Sequence, residues 1–328
     1  MVSSLFTLTD LLSEMGHQVF VTAEIERPDF TDHGVYWGNL PPTPPVGQEY
    51  DFLILNRGVG DGYPQIKSKH RILWTHDLPH NGFIPNPLIM GAFSATVFMS
   101  EYAERVWRAF YRTIKKSFTI PNGVDKSRFY PRENDLSYLI YASAPNRGLR
   151  RLPLIFQAIK NRAERAIYMR AYSNMAAQHP NEVRNGDRDG WQEIYHTIRE
   201  SPVELHDPVP QHELAEEFGR AGLMILPTEY PEICSNTILQ ALASGVPIVT
   251  TGNLGSAGEW IKHGRNGMLT QFLPTDYMIH QLEIVRGALE ILNNEPLHLR
   301  MIRDAVNTKI LTWEEVARKW DKMFRRLY

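Results

Sequence analysis

The stretch 226–245, LPTEYPEICSNTILQALASG, constrains this chain most, because it reads as a strand end, a broken loop and a helix start in immediate succession. Residues 221–226 form a short apolar run of the kind buried in a parallel sheet, and Pro227 and Pro231 interrupt it. Ser235 and Asn236 then offer capping side chains, Thr237 to Ser244 carry helical spacing, and Gly245 can take the left-handed conformation that closes a helix. Such a helix start presents backbone N–H groups and the positive end of a dipole, worth about 0.3–2 kcal/mol to a nearby anion. A diphosphate suits it. Ile238, Leu239 and Leu242 supply a buried face, while Asn236, Gln240 and Ser244, spaced by four, form a polar stripe. That stripe is either a ligand-facing side or the wet side of an ordinary helix.

The rest of the chain gives this segment a setting. Apolar runs at 18–22, 51–55, 71–75, 95–99, 117–120, 138–142, 166–169, 203–206, 221–226 and 247–251 alternate with helical patterns, which is the rhythm of parallel α/β architecture. A turn and two prolines at 121–131 separate two such series, so the reading places a boundary near Tyr130. With 328 residues the chain is long enough for two domains. A formal net charge of −2 argues against a dedicated nucleic-acid binder, so anion binding must be local. One cysteine, Cys234, excludes an intrachain disulfide and a thiolate metal cluster, which fits a reducing, cytoplasmic setting. The sequence shows neither a membrane-span-length apolar run nor the layout of a secretion signal.

Pro227-Thr228, Pro231-Glu232 and the run from Ala243 to Val249 resemble the donor-binding signature of family-four retaining glycosyltransferases of the GT-B architecture. Upstream, Ile120 to Asp125 (IPNGVD) resembles that family's interdomain connection, and YASAPNRGLRRL at 141–152 is similar to its first phosphate-contacting loop. Downstream, 255–269, with Glu259 and the turn Asn266-Gly267, is similar to the segment that follows the signature. The resemblance runs from about Arg71 to the C-terminus and is weak before it. It implies an α/β GT-B fold, two Rossmann-like domains facing across a cleft: 1–130 on the acceptor side, 131–310 binding the donor, and a helix at 311–328 crossing back to the first domain. The expected first strand and its glycine-rich loop are missing ahead of the helix 5–15, so the reading takes the N-terminal domain to lack its first strand, through truncation or replacement by another segment.

The resemblance also implies roles. Glu232 matches the glutamate that binds donor-sugar hydroxyls, and Gln240 stands where a second glutamate usually grips the ribose. Gln240 can accept one bond and donate another but lacks the charge. Arg147 takes the place of the usual diphosphate-binding lysine, the family's other arginine falls on Ala142, and Arg150 or Arg151 could compensate or simply be solvated. Backbone N–H groups of Cys234, Ser235 and Asn236 form the expected phosphate cradle, Ile233 beside them counts among the donor-binding residues, Val209 packs against the base, and His76 sits beside the sugar.

The resulting expectation is a retaining, metal-independent enzyme with no cofactor, moving a sugar from a nucleotide-sugar donor to a glycan, lipid or other hydroxyl acceptor. The alternative is a non-catalytic nucleotide-sugar-binding or partner protein on the same fold, which Gln240, Ala142 and the absent strand favour. His76, Asp77 and His80 could suggest a metal, but Pro79 breaks the helical pairing. A helix over 104–116 would gather Arg105, Arg108, Arg112 and Lys115 beside Trp107, Phe110, Tyr111 and Ile114, either a peripheral membrane contact or a normal solvated helix face. The proline-rich 40–47 reads as a stiff loop.

Overall fold

A computed structural model describes residues 2–23, 28–39, 49–57, 66–79, 90–174 and 190–328. It divides into two compact units, Met1–Gly123 with Leu311–Tyr328, and Val124–Ile310. The division at Gly123 lies a few residues ahead of the break expected near Tyr130. The loop 40–47 and His80 lie outside the described residues.

The second unit is one parallel sheet. Its strands are β8 (Asp135–Ala142), β9 (Tyr168–Tyr172), β10 (Val203–His206), β11 (Ala221–Leu226), β12 (Ile248–Thr251) and β13 (Gly267–Thr270), in spatial order β10-β9-β8-β11-β12-β13. β11 and β12 are buried at every position, as expected of strands covered on both faces. The helices of this unit are α3 (Leu152–Lys160), α4 (Trp191–Arg199), α5 (Gln211–Arg220), α6 (Asn236–Ala243), α7 (Ala257–Trp260), α8 (Tyr277–Leu292) and α9 (Glu295–Val306). One continuous apolar core runs from Leu139 and Ile140 on β8, through Ile155 and Phe156 on α3, to Ile284 and Ile291 on α8. β9 lies two residues later than the run 166–169 suggests, because Arg170 falls inside the strand.

The first unit holds α1 (Val2–Glu14), β1 (Val19–Ala23), β2 (Phe30–Asp32), β3 (Val35–Asn39), β4 (Tyr50–Asn56), β5 (Ser68–Trp74), β6 (Ala95–Phe98), α2 (Glu101–Phe110), β7 (Ser117–Thr119) and α10 (Trp313–Leu327). Strands β4-β5-β6-β7 form a parallel sheet in chain order. A second sheet, β1-β3-β2, pairs β1 parallel and β2 antiparallel to β3. The β2–β3 hairpin escaped the sequence reading. Its two-residue turn is His33-Gly34, with φ of 47° and 78°, so a histidine stands where Asn or Asp usually marks a turn with two left-handed residues.

Helix α10 closes this unit. A capping box starts it: Thr312 Oγ1 accepts from Glu315 N at 3.3 Å, and Thr312 N donates to Glu315 Oε2 at 2.8 Å. Val316, Ala317, Trp320, Met323, Phe324 and Leu327 are buried with Leu8 and Leu12 of α1 and Ile72 and Trp74 of β5, while Trp313 is only half-buried. Trp320 meets Trp74 edge-on with ring centroids 5.1 Å apart.

The expected helix over 104–116 is shorter and earlier. Ser100 caps it through Ala103 N, and it ends at Phe110, before Arg112, Ile114 and Lys115. Trp107, Tyr111 and Ile114 are buried, and Arg108 pairs with Glu104 at 2.9 Å, so the apolar side faces the protein's own core. Phe110 is left exposed, with Arg105, Arg112 and Lys115. Among the described residues no helix is long and apolar enough to cross a membrane.

Candidate functional site

In the second unit the chain leaves β8 toward β9 and β10, then returns to β11 on the other side of β8. The order therefore reverses between β8 and β11, and the loops leaving their carboxyl ends flank the position where open α/β sheets bind ligands. Those loops are 143–151 and 227–235, the two singled out in the sequence.

Local chemistry fixes each loop. After β8, the Tyr141 hydroxyl donates to Ala144 O at 2.6 Å, and Ser173 Oγ donates to Ser143 O at 2.7 Å. Gly148 has φ 91°, and a Cβ there would stand 2.0 Å from the carbonyl oxygen of Pro227, so only glycine lets the two loops meet. After β11, Tyr230 N donates to Thr228 Oγ1 at 3.1 Å. Ser256 N donates to Glu232 O at 2.7 Å, and a Cβ on Gly255, at φ 80°, would lie 2.5 Å from Glu232 N. Thr237 Oγ1 donates to Ala142 O at 2.8 Å, tying the start of α6 to the end of β8.

Arg147 and Glu232, paired here across the two loops, are 19% and 13% exposed. Arg147 Nε donates to Glu232 Oε1, Nη1 donates to Asn146 Oδ1 at 2.6 Å, and the guanidinium lies 3.8 Å from the centroid of the Tyr230 ring. Burial raises the Glu232 carboxyl above the ordinary carboxylate range, and the charge and hydrogen bond of Arg147 offset this only in part. Tyr230 was not foreseen; no spacing rule singles out one aromatic in a loop.

The residues expected to form the cradle stand at the start of α6. Ile233 and Ser235 are buried, and Cys234 and Asn236 are half-buried. Gly245 has φ 72°, the expected helix-closing conformation. Gln240 Nε2 donates to Gln211 Oε1 at 2.8 Å, on the first residue of α5. The polar stripe breaks at its far end, where Ser244 is fully buried because Gly245 turns the chain back under the core. Val209 is half-buried and packs against the apolar core.

Arg151, expected among the donor-binding residues, is turned inward and is 2% exposed. Its Nε donates to Glu229 Oε1 at 2.8 Å, Nη2 to Pro274 O at 2.8 Å, and Nη1 to His280 Nδ1 at 3.3 Å. Its donors are committed to the protein interior, and its guanidinium lies over the Tyr277 ring at 4.4 Å. Arg150 remains outside and grips both oxygens of Glu229 at 2.9 and 3.0 Å. Burial pushes the Glu229 carboxyl up, but hydrogen bonds from Arg150 and Arg151 outweigh it and hold the group below its usual range. Glu229 and His280 were missed by the sequence reading. The signal for His280 was one imidazole four residues before Ile284 on the apolar face of α8.

His76 belongs to the first unit, just beyond the carboxyl end of β5. Burial, with a smaller contribution from Arg57, lowers its pKa to about 3, so the imidazole is neutral throughout the physiological range. Its ring lies 4.4 Å from that of Trp74, and its buried Nε2 has no hydrogen-bond partner among the described residues. Among those residues no three of His, Cys, Asp and Glu gather as a metal-holding group.

Residues 166–283 match the family Glycosyl transferases group 1. An exopolysaccharide phosphotransferase of Streptomyces coelicolor is 30% identical over 118 residues, 34% of this chain and 12% of that protein, so the chain spans only a small part of this relative. The fold is GT-B. Sucrose-phosphate synthase from Thermosynechococcus elongatus superposes with a TM-score of 0.75 at 14% identity, covering 98% of this chain and 92% of that one. A glycosyltransferase from Rickettsia africae gives 0.70 at 13%, covering 99% and 94%. Anabaena HepE, solved with UDP and glucose, gives 0.69 at 14%, covering 98% and 96%.

Proposed function

We propose that this chain is a retaining, metal-independent glycosyltransferase that takes a sugar from a nucleotide-sugar donor and transfers it to a hydroxyl of a glycan or lipid acceptor. The observation that carries the reading is the Arg147–Glu232 pair at the β8/β11 switch point, beside the start of α6. Glu232 also lies within the segment matching the glycosyltransferase family, and HepE was solved with UDP and glucose.

The chemistry follows from these groups. As the bond to the sugar stretches, negative charge grows on the departing nucleoside diphosphate, and fixed donors and dipoles aimed at it lower the barrier. The amino end of α6 supplies a dipole, and Arg147 supplies a charge held over Tyr230. The two hydrogen bonds described for Arg147 use Nε and Nη1, which leaves Nη2 to turn toward an incoming anion. Glu232, held by its arginine partner, accepts from sugar hydroxyls, and Gln240 serves the ribose. Retention follows from the likeness of the signature at 227–249 to retaining enzymes, the acceptor being deprotonated on the face from which the diphosphate leaves.

Glu232→Ala removes a charge-assisted hydrogen bond worth about 1.5–3 kcal/mol, so kcat/KM should fall about ten- to a hundredfold. The assay is release of nucleoside diphosphate with an acceptor present, and proton NMR of the first-formed product reads its anomeric configuration. Unchanged kinetics would refute the sugar-site assignment. The Gln240–Gln211 bond favours a second reading, a binding protein without turnover, which predicts that donor is retained but never consumed.

A further inference from the structure

Behind the loop that carries Glu232 lies a buried polar relay. His280, on α8, is fully buried in an otherwise apolar helix face. Its Nδ1 lies 3.3 Å from Arg151 Nη1, and its Nε2 lies 2.9 Å from Thr251 Oγ1. A guanidinium can only donate, so Nδ1 must accept and the single ring proton sits on Nε2. Nε2 then donates to Thr251 Oγ1, whose own hydrogen goes to Thr228 O at 2.6 Å. On the other branch Arg151 donates to Glu229 Oε1 at 2.8 Å. One imidazole thus reaches the loop at two consecutive residues, through a hydroxyl to Thr228 and through a guanidinium to Glu229.

Burying these groups costs free energy unless each finds a partner, and here each does. A bulkier apolar residue would fill the same volume without aligning anything. The arrangement matters because Glu232 follows three residues after Glu229, and Tyr230 between them holds the Arg147 guanidinium.

We infer that His280 is a positioning residue: through Thr251 and Arg151 it holds the loop 227–232 from behind, so that Glu232 meets the donor sugar in one orientation. The inference rests on the glycosyltransferase reading for its sugar, but the holding of the loop can be measured without any ligand. The network is selective in what it should affect. The diphosphate is assigned to Arg147 and the start of α6, which touch the loop only through Tyr230 and Glu232, so the relay should govern the sugar contact most and nucleoside diphosphate affinity less.

The experiment uses the full chain and the variants His280→Leu, His280→Gln and Thr251→Val. Gln can keep a donor toward Thr251, and Val keeps the shape of Thr251 without its hydroxyl, so both remain informative if His280→Leu fails to fold. Hydrogen exchange by mass spectrometry should show peptides covering 227–234 exchanging at least tenfold faster in Thr251→Val and His280→Leu, with His280→Gln intermediate and peptides from α9 unchanged. Calorimetric titration with UDP, UDP-glucose, GDP and GDP-mannose should show the preference for the sugar-bearing form over its diphosphate falling about tenfold. Affinity for the diphosphate alone should fall by clearly less than that preference does.

Unchanged exchange at 227–234, or equal acceleration across the whole second unit, would overturn the inference. So would faster exchange with the sugar preference intact. Failure of the unmodified protein to bind any of the four probes would instead count against the proposed function, while the exchange result would still decide whether the relay holds the loop.

Discussion

Replacing Arg147 by methionine tests the pairing that the proposed site depends on. Methionine keeps most of the side-chain length but leaves the Glu232 carboxylate without its partner. Removing one member of a buried pair costs about 3–5 kcal/mol, because the other charge stays behind uncompensated. Arg147 and Glu232 keep 19% and 13% of their surface, so solvent screening lowers the expectation to roughly 2–3 kcal/mol. For a unit of this size each kcal/mol moves the melting midpoint by about 2–4 °C, so calorimetry should record a drop of roughly 5–10 °C. In the double variant Arg147→Met/Glu232→Gln no buried charge remains, and the loss should shrink to about 1 kcal/mol. The pH dependence has a defined sign. Burial already raises the Glu232 pKa, and removing Arg147 raises it further. Protonation below that elevated pKa relieves the stranded charge, so the deficit of Arg147→Met should be smallest in acid and grow as pH rises through the folded pKa. A coupling below about 0.5 kcal/mol in the double-mutant cycle, or an equal deficit at both ends of that range, would refute the reasoning.

Two further outcomes follow from the same site. Gly255→Ala places a Cβ within 2.5 Å of the Glu232 backbone at a positive φ, so transfer should fall sharply and the melting midpoint should drop; wild-type turnover in this variant would show that the 255–256 contact does not set the position of Glu232. Gln240→Glu restores a carboxylate, which can accept from Gln211 once that amide turns its Nε2 toward it in place of the present Gln240-to-Gln211 donation, so nucleotide-sugar affinity should rise severalfold by titration calorimetry, and a fall would remove Gln240 from the donor site.

The second unit was the more legible half, for a physical reason. A parallel strand covered on both faces is an uninterrupted apolar run, and 221–226 appears in the structure with those bounds. β13 was read only as the turn Asn266-Gly267, because Gly, Met, Leu and Thr do not announce a strand at the sheet edge. In the first unit the helix α2 was drawn too late and too long: Ser100 capped it earlier than the run of basic residues suggested. Arg147 and Glu232, which a motif keeps at fixed places in the sequence, do meet across the two loops. The inward turn of Arg151 is not legible locally because its partners lie far away in the chain, Glu229 78 residues on and His280 129 residues on. Local sequence shows that an arginine is present; only the fold shows whether its donors are already spent.

Helix α10 has a consequence for how the molecule comes into being. The first unit is built from both ends of the chain, with the whole second unit inserted between them. During synthesis the second unit can therefore mature while the first still waits, its Trp74 and Ile72 surface uncovered until Trp320 and its neighbours emerge. Loss of the last sixteen or so residues would leave that surface permanently wet, and a nascent chain halted at Ile310 should be bound by chaperones even though its inserted half is already native.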